Sequence, residues 1–248
     1  MRRPLIAGNW KMNVIDNIQP VIDSALKNDI DVIVIPPFVY LEKVRNQTAN
    51  SKVKVGAQNM FHKDKGAFTG EISPLFLKEL GLEYVLLGHS ERRHIFKETD
   101  EEISLKMQKA LSSNLKPILC LGEIDIERSS NRHKSVVENQ LKIALGGIEN
   151  NLKNIIIAYE PVWAIGTGNT ATPNDAEEMH LFIREQISFI FGRNVSSEMT
   201  ILYGGSVNEE NIKDLLRKDN IDGALIGGAS LKGDKFAQII EIAGKTNI

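Results

Sequence analysis

The chain has 248 residues, with 30 Lys and Arg against 32 Asp and Glu and a formal net charge of −2. That balance gives no electrostatic case for nucleic acid or an anionic membrane as partner. The five histidines never fall at metal-ligand spacing and the one cysteine, Cys120, builds neither a metal cage nor a disulfide framework, so no metal is expected and a reducing cytosol is.

The start, Met1–Ala7, carries two arginines but only a short apolar run before Asn9, too short for a signal peptide. No run approaches the ~18 apolar residues of a spanning helix, and a soluble, cytoplasmic chain is expected. Leu5–Ala7 opens a series of short apolar runs: Val32–Ile35, Val53–Ala57, Tyr84–Leu87, Pro117–Leu121, Ile155–Tyr159, Thr200–Tyr203 and Ala224–Ile226. Most are near-continuously apolar rather than alternating, as expected of parallel strands covered on both faces.

Helical segments lie between the runs. Pro20 interrupts Ile15–Leu26, so the first helix is expected to be short or kinked. Ser73-Pro74 pairs an N-cap with proline at the first helical position. Thr99 and Glu102 form a capping box before Ile103–Leu111, and Thr172-Pro173-Asn174-Asp175 opens an amphipathic stretch through Phe191. Asn208 and Asp234 are the expected caps of the last two helices. Eight strands alternating with helices at about 31 residues per unit match one βα repeat each. No linker divides them, so the chain reads as one α/β domain over residues 1–248. Eight repeats favour a closed (β/α)8 barrel over an open doubly wound sheet.

Active sites in such barrels are built at the carboxyl ends of the strands, and there the reactive side chains gather. Strand one runs into Gly8-Asn9-Trp10-Lys11, strand four into Gly88-His89-Ser90-Glu91, and strand six into Glu160. Strand seven ends in Gly204-Gly205-Ser206 and strand eight in Gly227-Gly228-Ala229-Ser230, whereas the opposite rim carries turn and charged residues such as Asn28-Asp29. Glycine pairs let a backbone approach phosphate closely, with Ser206 as an added donor, although either pair alone reads equally as a tight turn. Lys11 is a solvated charge or the cation that neutralises phosphate or a developing oxyanion. Glu91 either orients Lys11 or pairs outward with Arg92 or Arg93. Cys120 and Glu123 suit packing and support rather than reaction.

Residues Ala158–Gly168 place Glu160 at a strand end, before a stiff Pro161-Val162-Trp163 corner and a small-residue tip. That arrangement suits a base working under a movable lid. Gly166, Gly168 and Ala171 also match a dinucleotide-binding fingerprint, but Pro161–Ile165 separate the first glycine from Glu160, and the fingerprint needs its turn directly after the strand.

With these residues assembled, the chain resembles the triosephosphate isomerase family. The resemblance runs nearly end to end, through Ala7–Asn13, Gly56–Asn59, Gly66–Ser73, Gly88–Arg93, Cys120–Glu123, Ala158–Gly168, Tyr203–Val207 and Gly227–Leu231. It implies a TIM barrel that interconverts dihydroxyacetone phosphate and D-glyceraldehyde 3-phosphate through an enediol(ate), in glycolysis and gluconeogenesis, without a cofactor. By resemblance, Glu160 is the base and His89 the electrophile that polarises the carbonyl, while Lys11 and Asn9 bind substrate and stabilise the enediolate. Gly166, Ser206, Gly227 and Gly228 correspond to the phosphate site, with Gly166 contributing only under a closed lid. Ser90 and Glu91 support the site, and Thr69 tips a loop that enters the partner of a homodimer. A neutral histidine electrophile and water-excluding loop closure are likewise known of the family.

Three features depart from the family pattern: Asn169 replaces the usual lysine of the second lid hinge, Ser129-Ser130-Asn131 diverges, and the first helix carries Pro20. Two other readings stand beside this one. A Schiff-base aldolase would use Lys11 as nucleophile, and a non-catalytic barrel would retain only binding.

Overall fold

The computed structural model describes residues 2–165 and 171–246. β1 (Leu5–Asn9) is followed by α1 (Gln19–Lys27), β2 (Asp31–Ile35) and α2 (Leu41–Thr48). Next come β3 (Lys54–Ala57), α3 (Pro74–Glu79), β4 (Tyr84–Leu87), α4 (Ser90–His94) and α5 (Asp100–Ser112). β5 (Lys116–Leu121) leads to α6 (Asp125–Ser129) and α7 (His133–Leu145), and β6 (Ile156–Tyr159) to α8 (Pro173–Phe191) and α9 (Arg193–Glu198). β7 (Thr200–Tyr203), α10 (Ile212–Leu216), β8 (Gly223–Ile226) and α11 (Gly233–Lys245) complete the described order.

The strands pair in parallel in sequence order, and β8 returns to β1 with Leu5 opposite Gly223 and Gly8 opposite Ile226, closing the barrel. Successive side chains on a strand point to opposite faces, and here both faces are dry. Leu5, Ala7, Ile33, Ile35, Leu86, Ile118, Cys120, Ile156, Ala158, Leu202 and Leu225 form the inner cluster. Their neighbours Ile6, Val32, Val34, Val85, Leu87, Leu119, Ile157 and Ile201 pack outward against the helices. Two buried faces explain why the runs read as continuously apolar. Each Val, Leu or Ile among them contributes roughly 1.5–3 kcal/mol on leaving water.

The local helix signals act as expected at three starts. Ser73 Oγ accepts the Leu75 N–H at 3.1 Å with Pro74 in the first turn. Thr99 and Glu102 make both bonds of a capping box, and Thr172 and Asp175 make another. Pro20 does not interrupt a helix. It sits in the first turn of α1, where a missing N–H costs nothing, so α1 is short because it starts late. Asp234 does not cap the last helix, which already begins at Gly233. Its first N–H is taken by Asp16 Oδ1 at 3.1 Å, a residue 217 positions away. Asn208 Oδ1 accepts the N–H groups of Glu210 and Asn211, in the turn just before α10.

The amino-terminal rim is locked by a buried carboxylate. Asp222 accepts from Arg2, from Arg184 Nη2 at 2.8 Å and from the Ile201 N–H at 2.8 Å. No helix of the described residues is long and apolar enough to cross a membrane.

Candidate active site

A cleft of ≈ 300 Å³ opens at the carboxyl ends of the strands, lined by Asn9, Lys11, His89, Glu160, Ser206, Gly227 and Gly228 together with neighbouring backbone. The structure therefore brings together the four side chains expected to react and three of the four residues expected to hold phosphate. Gly166, the fourth, lies outside the described residues, as does Asn169. Ser90 and Glu91 lie just behind the cleft. Thr69 is exposed on the loop between β3 and α3 and does not line it.

At the end of β4, Gly88 takes φ +72°, the left-handed region that glycine adopts without a Cβ penalty. The chain turns there and delivers His89 as the N-cap of α4, where its Nδ1 accepts the Glu91 N–H at 3.2 Å. A nitrogen that accepts carries no proton, so the ring's proton is on Nε2. Glu91 Oε2 is 3.7 Å from the same Nδ1, beyond hydrogen-bonding distance. Nε2 lies 3.1 Å from Glu160 Oε1, so it donates to that carboxylate. The other carboxylate oxygen of Glu160 accepts the Ser90 N–H at 2.8 Å. Glu160 is 2% exposed, and both its oxygens are held.

Lys11 follows β1 with φ +52°, a conformation that costs a non-glycine residue of order 1–3 kcal/mol. The surroundings hold it there. Its N–H donates to Asn9 Oδ1 at 3.0 Å, and Gln58 Nε2 donates to its carbonyl at 2.7 Å and to that of Ile35 at 3.1 Å. Its Nζ pairs with Glu91 Oε1 at 2.7 Å, so Glu91 orients Lys11 rather than pairing outward. Beside it, a Cβ on Gly227 would come within 3.3 Å of Lys11 Cε, which places the β1 and β8 loops side by side. Gly228 opens a single 3-10 turn, Gly228–Leu231, whose first N–H groups have no partner within the turn. Ser206 lies on the rim, but its hydroxyl donates to the Ala164 carbonyl at 2.8 Å. A phosphate there would have to displace that bond.

Glu123 is fully buried after β5 and supports the site from behind. It accepts the Tyr159 hydroxyl at 3.0 and 3.1 Å and the Trp163 indole N–H at 2.9 Å. These partners stand on either side of Glu160 in sequence, so one carboxylate pins both flanks of another. Burial, and then the Glu160 carboxylate, push the Cys120 thiol well up, which leaves it a packed, protonated side chain and no nucleophile.

Sequence reasoning assigned no role to Gln58, although it lies in a motif that carried the resemblance. Its only local signal is its place directly after β3, on the same rim as Asn9, His89 and Glu160. Among the described residues, no group of three or more His, Cys, Asp and Glu is placed to hold a metal ion.

The arrangement supplies a carboxylate, a neutral N–H donor facing it, and a cation lining the same cleft. A carbonyl compound with an acidic neighbouring C–H could lose that proton to Glu160 while its oxygen accepts from His89 and Lys11. Glycine backbone on the opposite wall leaves room for an anionic tail.

The family model described as Triosephosphate isomerase matches residues 4–243 of the chain. Similar proteins carry the same name. One from Finegoldia magna is 47% identical over 247 residues, covering 97% of this chain and 98% of that protein. Others from Alkaliphilus metalliredigens and Thermoanaerobacter pseudethanolicus are each 48% identical over 246 residues, covering 97% of this chain and 99% of theirs.

Proposed function

We propose how the chain works from one premise: it belongs to the triosephosphate isomerase family. Its reaction is the interconversion of dihydroxyacetone phosphate and D-glyceraldehyde 3-phosphate through an enediol(ate). Glu160 is the base. It removes a proton from the carbon beside the carbonyl, and the C–H electron pair becomes the C=C bond of the enediolate. His89 Nε2–H donates to the carbonyl oxygen as charge develops there, with Lys11 and Asn9 stabilising the same charge. His89 gives its Nε2 proton to the former carbonyl oxygen and takes the proton of the neighbouring hydroxyl. Glu160 delivers its proton to the carbon that bore the carbonyl, and the carbonyl has moved by one position.

The observation that carries this reading is the 3.1 Å approach of His89 Nε2 to Glu160 Oε1. The donor and the base satisfy each other at that distance. A substrate entering between them gives each its own partner, the oxygen for His89 and the carbon-bound proton for Glu160. Deleting a preset oxyanion donor typically costs roughly 2.7–4 kcal/mol of barrier lowering, and a placed general base contributes about 10²–10⁴ in rate. The phosphate lies against Gly227, Gly228 and Ser206. Lys11 is ion-paired with Glu91, a pairing that a Schiff-base lysine would have to leave, so the isomerase reading is preferred to an aldolase.

The reading extends to a cytosolic homodimer. A second cavity of ≈ 210 Å³ adjoins the cleft, lined by Lys11, Met12, Gln58, Glu91, Arg92 and Phe96 among others. Met12 and Phe96 are 94% and 67% exposed, unusual for large apolar side chains beside a reaction site. The Thr69 loop of a second copy is the proposed occupant.

A coupled assay of triose phosphate isomerisation on the purified protein tests the function. Glu160→Asp tests the base: withdrawing the carboxylate by about an ångström is expected to lower kcat on the order of 10²-fold with little change in substrate affinity. Undiminished turnover in that variant would remove Glu160 from the mechanism.

A further inference from the structure

We propose that Gln140, on α7, is a positioning residue for Glu160, acting through the peptide groups of Gly122. The inference rests on the reading of Glu160 as base and adds a residue to it. β5 is paired with β4 as far as Leu87 opposite Leu119, and β4 then turns away at Gly88. Beyond that point one side of β5 has lost its neighbouring strand. On its other side the ladder to the β6 end continues: the Glu160 N–H donates to the Leu121 carbonyl at 2.8 Å, and the Val162 N–H to the Glu123 carbonyl at 3.0 Å.

Gly122 stands between those two contacts with its own N–H and C=O facing the other way. The Gln140 carboxamide satisfies both. Its Oε1 accepts the Gly122 N–H at 2.8 Å and its Nε2 donates to the Gly122 carbonyl at 3.2 Å. Both bonds are buried. A side-chain amide has the same donor–acceptor geometry as a peptide group, so Gln140 replaces the missing strand at this one residue.

What Gly122 touches gives the bond its consequence. A Cβ at Gly122 would run into the carbonyl oxygen of Glu160, so the two backbones are in direct contact. The depth at which Gly122 is held therefore limits where the Glu160 backbone, and the carboxylate it carries, can sit. Neither bond reaches the cleft, and Gln140 touches no substrate-facing atom, so its effect is on the placement of the base.

The test is Gln140→Met, which keeps the apolar volume of the side chain and removes both bonds. Kinetics on the full chain should show kcat lowered about tenfold, consistent with a small misplacement of a base, with KM changed less than twofold. Asp222→Ala, a destabilising change at the opposite rim, serves as the control and should leave kcat within twofold. If Gln140→Met does not fold, the neutral Gln140→Asn, which withdraws the carboxamide by one methylene from the Gly122 peptide groups, takes its place and should lower kcat by a comparable factor at unchanged KM. A folded variant with kcat within twofold of the parent overturns the proposal, as does a fall in kcat matched by the fraction of protein unfolded. Glu160→Asp measured alongside separates the two readings. If it lowers kcat and Gln140→Met does not, only the positioning role fails; if neither does, the base assignment fails with it.

Discussion

His89 and Glu160 face each other across the mouth of the barrel, Nε2 to Oε1 at 3.1 Å, with the ring's other nitrogen accepting the Glu91 N–H. The second bond decides the first. Because Nδ1 is an acceptor, the ring presents an N–H to the cleft without carrying a full charge.

His89→Gln places an amide N–H near the position of Nε2 but cannot pass a proton on. Substrate should still bind, with KM within a few fold. kcat should fall on the order of 10²-fold, the low end of what acid–base groups contribute. Steady-state kinetics with dihydroxyacetone phosphate checks it, and equal kcat in the two proteins would mean that His89 only lines the wall.

Gln58→Leu removes the donor that holds the Lys11 and Ile35 carbonyls at 2.7 and 3.1 Å. The Ile35 carbonyl keeps the Trp10 N–H at 3.1 Å, so the part-buried Lys11 carbonyl is the one that loses its donor, at a cost of at most about 1–3 kcal/mol, and the strained Lys11 backbone can then relax. Both KM and kcat should worsen, to about tenfold in kcat/KM. Lys11→Ala should impair both more severely, since it removes the cation itself. A Gln58→Leu enzyme with parental kcat/KM would show that the Lys11 conformation holds without it.

Asp222→Ala leaves Arg2 and Arg184 without their shared carboxylate and the Ile201 N–H without its acceptor. Breaking a buried pair by removing one member typically costs about 3–5 kcal/mol. The change lies at the amino-terminal rim, so chemical denaturation should register the loss while kcat stays near the parental value. A large loss of kcat in the folded protein would contradict the separation of rims.

His180 gives the fold a pH dependence. It is fully buried on α8, with Nδ1 on the Asn220 carbonyl at 3.2 Å and the rings of Tyr159 and Tyr203 beside it. Burial lowers its pKa from 6.5 to about 3. Below pH 6.5 the unfolded chain therefore takes a proton that the folded chain refuses. Stability from this group is complete above 6.5 and is lost as pH falls toward 3, at up to about 1.4 kcal/mol per pH unit. In His180→Phe that component is absent, so the loss between pH 7 and pH 5 should shrink by about 2 kcal/mol. Urea unfolding at the two pH values measures it, and parallel losses in both proteins would refute it.

Much of the candidate site was legible because its parts are local to strand ends. Asn9, His89 and Glu160 each follow an apolar run by a residue or two and Lys11 follows one by four, and a parallel barrel puts all such positions on one rim. The capping boxes at Thr99 and Thr172 were legible for the same reason, since both partners lie within one turn. At that scale Pro20 gives the right length for α1 with the wrong reason, and Asp234 gives the wrong cap. Proline fits the first helical turn as well as it breaks a later one, and the last helix starts one residue before Asp234, at Gly233, whose N–H Asp16 accepts from 217 residues away.

The roles proposed for Glu160 and His89 come from the resemblance to the family. The eight-unit order that favours a closed barrel, and the shared rim of Asn9, Lys11, His89 and Glu160, were determined by the sequence itself. Those follow from period and position along the chain, where burial on both faces of a strand leaves an unbroken apolar run. Only the tertiary structure decided how the site is held. Gln58 reaches Lys11 across 47 residues, Glu123 reaches Trp163 across 40, and Gln140 reaches Gly122 across 18 from a helix on the outer layer. A polar side chain's partner is whichever backbone or side-chain group the folding of other elements leaves unpaired beside it, and no local pattern in the chain records that.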